Sequence, residues 1–198
     1  YQHTYVNSIE PIRQALKSHP VKRLIVVSST RVYGENSGET IDDHSEIHPN
    51  DAQGHILHNM ELLWQKYFPS QCVIVRPTGI YGASIDRLKR MAEHTQTYPN
   101  IHYSNRIHID DLARFLAFLA DFEKPHKSYL VANNAPVPLH EVLLWFQSQL
   151  DLPLLTLDSA HVSGKKIYAK HLFETGFQLE HPICFNDYLL CLNAHGTN

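Results

Sequence analysis

Lys22-Arg23-Leu24-Ile25-Val26-Val27-Ser28-Ser29-Thr30-Arg31-Val32-Tyr33-Gly34 is the stretch from which the fold can be read. Two cations precede an almost entirely apolar run, Leu24 to Ser28, with no alternation of polar and apolar residues. Such a run suits a strand covered on both faces. Its C-terminal end turns polar and closes on glycine. In open α/β sheets the chemistry lies just beyond the carboxyl ends of the strands, so Ser28, Ser29 and Thr30 occupy the place where a site is expected. A buried strand followed by an ordinary serine-rich loop accounts for the same residues.

Outward from this stretch the pattern is that of an α/β chain. Val6, Ile9, Ile12, Ala15 and Leu16 recur at helical spacing, which predicts a helix over 4–18 stopped by Ser18-His19-Pro20. Residues 35–51 are polar, with Gly38, Pro49 and several acids, and read as loop. Ile56, Met60, Leu63 and Trp64 predict a helix over 52–67, and Cys72–Val75 a second short strand. The order helix, strand, loop, helix, strand fits a parallel sheet with crossovers. Farther on, 85–94 reads as an exposed helix and 101–109 as an extended piece. Asp110-Asp111 is expected to cap an apolar helix running to Ala120. Ser128–Ala132 reads as a strand, and Pro138 to about Leu150 as a helix. Ile167-Tyr168 and Lys170–Thr175 read as a helix stopped by Gly176-Phe177.

Composition narrows the function classes. With 198 residues, 43% hydrophobic and 19% charged, the sequence is that of an ordinary globular protein of one domain, or one domain and a lobe. A net charge of −3 gives no support for nucleic acid or an anionic membrane as partner. No apolar run approaches a membrane span, and the N-terminus has no signal-peptide character. Cys72, Cys184 and Cys191 form no C-x-x-C pair, so reduced thiols in a cytoplasmic setting are expected. Of the 15 histidines, His44/His48 and His55/His58 have spacings a helix could turn into ligands. No H-E-x-x-H motif accompanies them, and the first pair lies in a Pro- and Asp-rich stretch. No metal site is expected.

Five segments, in order, carry a resemblance. Val26-Val27-Ser28-Ser29-Thr30-Arg31-Val32-Tyr33-Gly34 resembles a strand ending in a Ser-Ser loop and Val-Tyr-Gly. Val75-Arg76-Pro77-Thr78-Gly79-Ile80-Tyr81-Gly82 resembles an Arg-Pro-x-x-x-Tyr-Gly loop. Asn105 to Ala113 resembles a substrate-lobe motif, Tyr129 to Pro138 a late strand and its exit, and Gly164 to Phe177 a terminal segment. Together they resemble the C-terminal two-thirds of an extended, atypical short-chain dehydrogenase/reductase of the NAD-dependent epimerase/dehydratase family. The resemblance implies a doubly wound, Rossmann-like parallel sheet with a smaller C-terminal substrate lobe. It divides the chain into 1–84, the second half of an NAD(P)-binding domain, and 85–198, lobe segments of which some return to the sheet. It implies NAD or NADP as cofactor, held by Ser28, Ser29, Pro77, Thr78, Gly79 and Ile80. It implies a small-molecule substrate, sugar nucleotides being one class, met by Asn105, Arg106 and His108.

Two departures from the family pattern stand out. The Gly-x-x-Gly-x-x-Gly turn that holds the pyrophosphate is absent from these residues, whose glycines lie at 34, 38, 54, 79, 82, 164, 176 and 196. With βαβ units of roughly 30 residues, on the order of 70 to 90 residues are expected to be missing, and the chain reads as truncated. The family's Tyr-x-x-x-Lys pair, whose lysine lets a phenol titrating near 10 exchange a proton near neutrality, falls on Gln53 and Leu57 when Gly54 and Glu61 are aligned. Ser29 keeps the family's catalytic serine. Two functions stay open: an NAD(P)-dependent epimerase/dehydratase-like or oxidoreductase-like enzyme, and a non-catalytic dinucleotide-binding sensor or interaction protein of the same fold.

Overall fold

The computed structural model describes residues 1–195. The chain opens with one π-helical turn, Gln2–Val6, followed by α1 (Ile9–Leu16). The single helix expected over 4–18 is thus divided. Pro11 explains this: its ring excludes a helical hydrogen bond to the carbonyl four residues back, so it must lie in the first turn of a new helix. Next come β1 (Leu24–Val27), a 3-10 turn (Thr30–Val32), β2 (Ser37–Asp42), α2 (Ala52–Tyr67), β3 (Cys72–Pro77) and β4 (Gly79–Tyr81). After them come α3 (Asp86–His94), β5 (Thr97–Tyr98), β6 (Ile101–Ser104) and β7 (Arg106–His108). Then follow α4 (Ile109–Asp121), β8 (Ser128–Val131), β9 (Val137–Pro138), α5 (Leu139–Gln149), β10 (Thr156–Leu157), β11 (Val162–Tyr168), α6 (Lys170–Glu174) and α7 (Cys184–His195).

The central sheet is parallel, in the order β1-β3-β8. Leu24 to Val27 register with Cys72 to Val75, and Ile74 to Pro77 with Ser128 to Val131. Every residue of β3 is buried, as a central strand covered on both faces requires. One core cluster surrounds this sheet and includes Ile74, Val75, Leu57, Trp64, Phe115 and Leu130. A second joins α3, α5 and α7 through Ala92, Val142, Leu143, Phe146 and Tyr188.

Among the strands that escaped the sequence reading are β2 and β11. β2 lies in the stretch 35–51 expected to be loop, and β11 takes in Ile167-Tyr168, expected to belong to the following helix. They pair in parallel within a four-stranded sheet of order β2-β11-β6-β9. In β2 only Ile41 is buried, so no apolar alternation marks the strand. β11 carries a register shift between Gly164 and Lys165. Gly164 has φ +73°, and a side chain there would collide with the Tyr103 backbone; glycine is required.

The outer edge of β8 is closed by a side chain. The buried Asp43 carboxylate accepts from the Leu130 amide at 2.6 Å and from the His171 amide at 3.0 Å. A single acid thereby satisfies a strand-edge donor and the start of α6. At α4 the cap differs from expectation. His108 is the N-cap, its Nδ1 accepting from the Asp110 amide at 3.2 Å. Asp111, fully buried, instead accepts from the amides of Glu180 and His181, both at 2.9 Å, and from Arg114. No helix among the described residues is long and apolar enough to cross a membrane.

Candidate functional site

A cavity of about 360 Å³ opens beyond the carboxyl ends of β1 and β3. From the strand ends it is lined by Thr30, Tyr33, Glu35 and Thr78, and from β6 and β11 by Tyr103 and Lys165. Asn105 and Gly79 line it too, and both also line a second cavity of about 240 Å³ that extends along Ile80, Tyr81, Arg87 and Arg106 to Tyr188. The two hollows therefore meet at the β3–β4 junction, where parallel α/β sheets place their ligands.

The serine loop is positioned by its own hydrogen bonds. Ser29 is the N-cap of the 3-10 turn, its Oγ accepting from the Arg31 amide at 3.2 Å. This occupies a lone pair and leaves the hydroxyl proton free to donate. The Ser28 hydroxyl is buried without a partner. Asp51 caps α2, accepting from the Gly54 amide at 2.7 Å, and also accepts from Arg31 at 3.0 Å. Gly54 allows this approach, since a Cβ there would stand 2.9 Å from the Arg31 carbonyl oxygen. Pro77 belongs to the β3–β8 ladder, Thr78 donates its hydroxyl to the Val131 carbonyl at 3.2 Å, and Ile80 is exposed at the mouth of the second cavity.

Gln53 and Leu57 lie on α2, one turn apart. Gln53 is half-buried, whereas Leu57 is only 3% exposed and packs into the core around the central sheet. The position where the family has a lysine therefore contributes to packing here.

Of the three residues expected to meet substrate, Asn105 and Arg106 line the second cavity together and His108 lies outside it. Asn105 spends its amide on the main chain of β11, donating to the Lys165 carbonyl and accepting from the Ile167 amide, each at 2.8 Å. Arg106 is buried and lines the second cavity. Its guanidinium donates to the Ser104 carbonyl at 3.5 Å and lies beside the Tyr188 hydroxyl, and no carboxylate pairs with it among the described residues. Burial pushes the pKa of that Tyr188 hydroxyl up, against the opposing pull of Arg106. His108 lines neither cavity. It stacks on His181 at 3.7 Å, and His181 donates to Asp187 at 2.7 Å. That bond raises the His181 pKa. Tyr81 donates to the other Asp187 oxygen at 2.6 Å.

Lys165 and Glu35 were missed by sequence reasoning. Lys165 donates to the Tyr33 carbonyl, and burial holds its pKa below the ordinary lysine value against the opposing pull of Glu35, Glu39 and Asp51. One Glu35 oxygen is buried without a partner. An ammonium and an unpartnered carboxylate oxygen thus face one cavity with no ion pair between them. They are supplied by segments 130 residues apart, and no spacing rule could have joined them.

Comparison with known proteins decides the fold family. A putative NAD-dependent epimerase/dehydratase from Methylobacillus flagellatus superposes with a TM-score of 0.86 at 29% identity, over 98% of this chain and 72% of that one. The chain has the fold of that epimerase/dehydratase-type protein. MoeE5 in complex with UDP-glucuronic acid and NAD shares the epimerase/dehydratase-type fold, with a TM-score of 0.75 at 18% identity, over 91% of this chain and 67% of that one. In sequence the chain is 26% identical over 188 residues to Protein YeeZ of Escherichia coli K12, covering 90% of this chain and 65% of that protein. No protein-family model matches.

Proposed function

We propose that this chain forms the nicotinamide and substrate side of an NAD(P)-dependent epimerase/dehydratase-like or oxidoreductase-like protein. The observation that carries the reading is the pair of cavities meeting at Gly79 and Asn105, beyond the carboxyl ends of the central strands. Ser29, with its free hydroxyl proton, would hold the substrate oxygen, and the Ser28 hydroxyl, Thr78 and Gly79 would border the cofactor. The cofactor would supply hydride chemistry. The Gly-rich turn that receives its pyrophosphate is not among these 198 residues. The buried, uncompensated Arg106 suits a substrate with an anionic group, since an unpaired guanidinium in a cavity is costly until an anion meets it. MoeE5, bound to UDP-glucuronic acid, and a UDP-N-acetylglucosamine 4-epimerase from Methanobrevibacter ruminantium bound to UDP-N-acetylmuramic acid have this fold, which supports a sugar nucleotide as the first class to try.

One observation favours a second reading, a dinucleotide-binding sensor without catalysis. Leu57 is part of the core, so the proton-transfer pair of the family has no equivalent at its usual place. A fluorescence titration of the complete polypeptide with NADH and NADPH, followed by a turnover screen over sugar nucleotides, separates the readings. Cofactor binding with turnover supports the enzyme, and binding without turnover supports the sensor. Absence of binding overturns both.

A further inference from the structure

The amino end of β8 carries a cluster that neither cavity uses. His126 lies in the loop leading into the strand, and His171 and Glu174 lie on α6. Ligand atoms of the three lie within 4.8 Å of one another. The two rings stack at 3.8 Å and 5°, and His126 Nε2 stands 3.4 Å from a Glu174 oxygen.

The chemistry of His171 gives the cluster its direction. Its Nδ1 lies 3.0 Å from the Ser128 carbonyl oxygen. A carbonyl can only accept, so Nδ1 carries the proton and Nε2 keeps its lone pair. Asp43 stands behind the same nitrogen at 3.6 Å, its own side chain 1% exposed and fixed by two backbone amides. A histidine whose far nitrogen donates to a carbonyl, backed by a carboxylate, is the outer-shell arrangement that orients metal-ligating imidazoles. The outward ligands are then two imidazoles and a carboxylate, a set that suits zinc and its borderline neighbours, with solvent completing the tetrahedron.

The other cluster of this composition, His108, His181 and Asp187, lacks that freedom. His108 Nδ1 accepts from Asp110, and His181 and Tyr81 already occupy both Asp187 oxygens.

We propose that His126, His171 and Glu174 bind one Zn²⁺ ion, which clamps α6 to the loop entering β8. His126 is partly exposed and turns out of the stack to aim its lone pair at the ion, while His171 stays fixed by Ser128 and Asp43. The site lies at the opposite end of β8 from the cavities, so the ion is structural. The sequence reading, which expected no metal site, had no spacing to find this one by, since His126 precedes His171 and Glu174 by 45 and 48 positions.

The test is a Zn²⁺ titration of the whole, tag-free chain by calorimetry, with histidine nitrogen chemical shifts followed by NMR. The expected result is one saturable site, weakened at least tenfold in His126→Ala and in Glu174→Gln and unchanged in His181→Asn. The His171 Nε2 and His126 signals should shift on loading while the His171 Nδ1 proton persists. Because the two diagnostic substitutions fall on exposed side chains, folding is expected to survive them, and retained far-UV dichroism checks it. Wild-type affinity in both variants, or no saturable binding by the wild type, would overturn the site.

Discussion

Arg76 and Glu61 form a two-pronged ion pair inside the protein: Nε donates to one carboxylate oxygen at 3.0 Å and Nη2 to the other at 2.7 Å. The remaining terminal nitrogen donates to the Tyr33 hydroxyl at 2.9 Å. The three groups tie α2 to β3 and to the loop that ends in Gly34. Removing one partner of such a pair leaves a buried charge uncompensated and typically costs about 3–5 kcal/mol. Glu61→Ala is therefore expected to lower stability by that order in urea denaturation, and Tyr33→Phe by about 1 kcal/mol. Equal, small losses for both would show that the pair contributes little beyond packing.

Leu57 bears on attempts to restore the family's chemistry. At 3% exposure among apolar neighbours, Leu57→Lys would place an ammonium in the core, at a cost of several kcal/mol. The double variant Gln53→Tyr, Leu57→Lys is expected to melt well below Gln53→Tyr alone in calorimetry. Comparable melting of the two would show that the lysine finds a route to solvent or to an acid.

Asn105 joins the β6–β7 junction to β11 by two hydrogen bonds of 2.8 Å. Asn105→Ala leaves a main-chain donor and acceptor without partners, and is expected to cost about 1–3 kcal/mol. Arg106→Ala should scarcely lower stability, because no carboxylate depends on it, yet should abolish binding of an anionic substrate. Denaturation and ligand titration on the same two variants separate the roles.

His181 gives the stability a pH dependence. Its folded pKa is raised by the bond to Asp187. A raised histidine pKa contributes stability that is complete below the unfolded value of about 6.5 and is lost as pH rises through the folded value. The difference in melting temperature between wild type and His181→Asn should be larger at pH 5.5 than at pH 8.5. A difference independent of pH would assign the residue a packing role.

The N-terminal-side edge of the central sheet is open among the described residues. Leu24 and Ser28 direct their amides to the β3 side, so the alternation of the strand turns those of Ile25 and Val27 the other way. Val27 is itself 44% exposed. An unpaired apolar edge is a template for association. Light scattering of this chain alone should show association rising with concentration, and Val27→Lys should suppress it. The same preparation is expected to bind NAD(H) and NADP(H) weakly, because no Gly-rich turn is present. Calorimetry returning a micromolar dissociation constant would contradict that.

What the sequence determined by itself was the central sheet and the fold class. An unbroken apolar run such as Leu24–Val27 or Cys72–Val75 has few structural solutions, and local signals of this kind survive without tertiary information. The glycine and serine positions of the loops could be recognised for the same reason. What only the tertiary structure decided depends on partners distant in the chain. β2 buries only Ile41 and exists because β11 pairs with it. The cavity acquires Lys165 and Glu35 from segments 130 residues apart. Asp111 serves the amides of Glu180 and His181 rather than its own helix. His126, His171 and Asp43 gather at one end of β8. No periodicity records such meetings, because the energy that fixes them is that of hydrogen bonds and packing between segments whose separation along the chain is arbitrary.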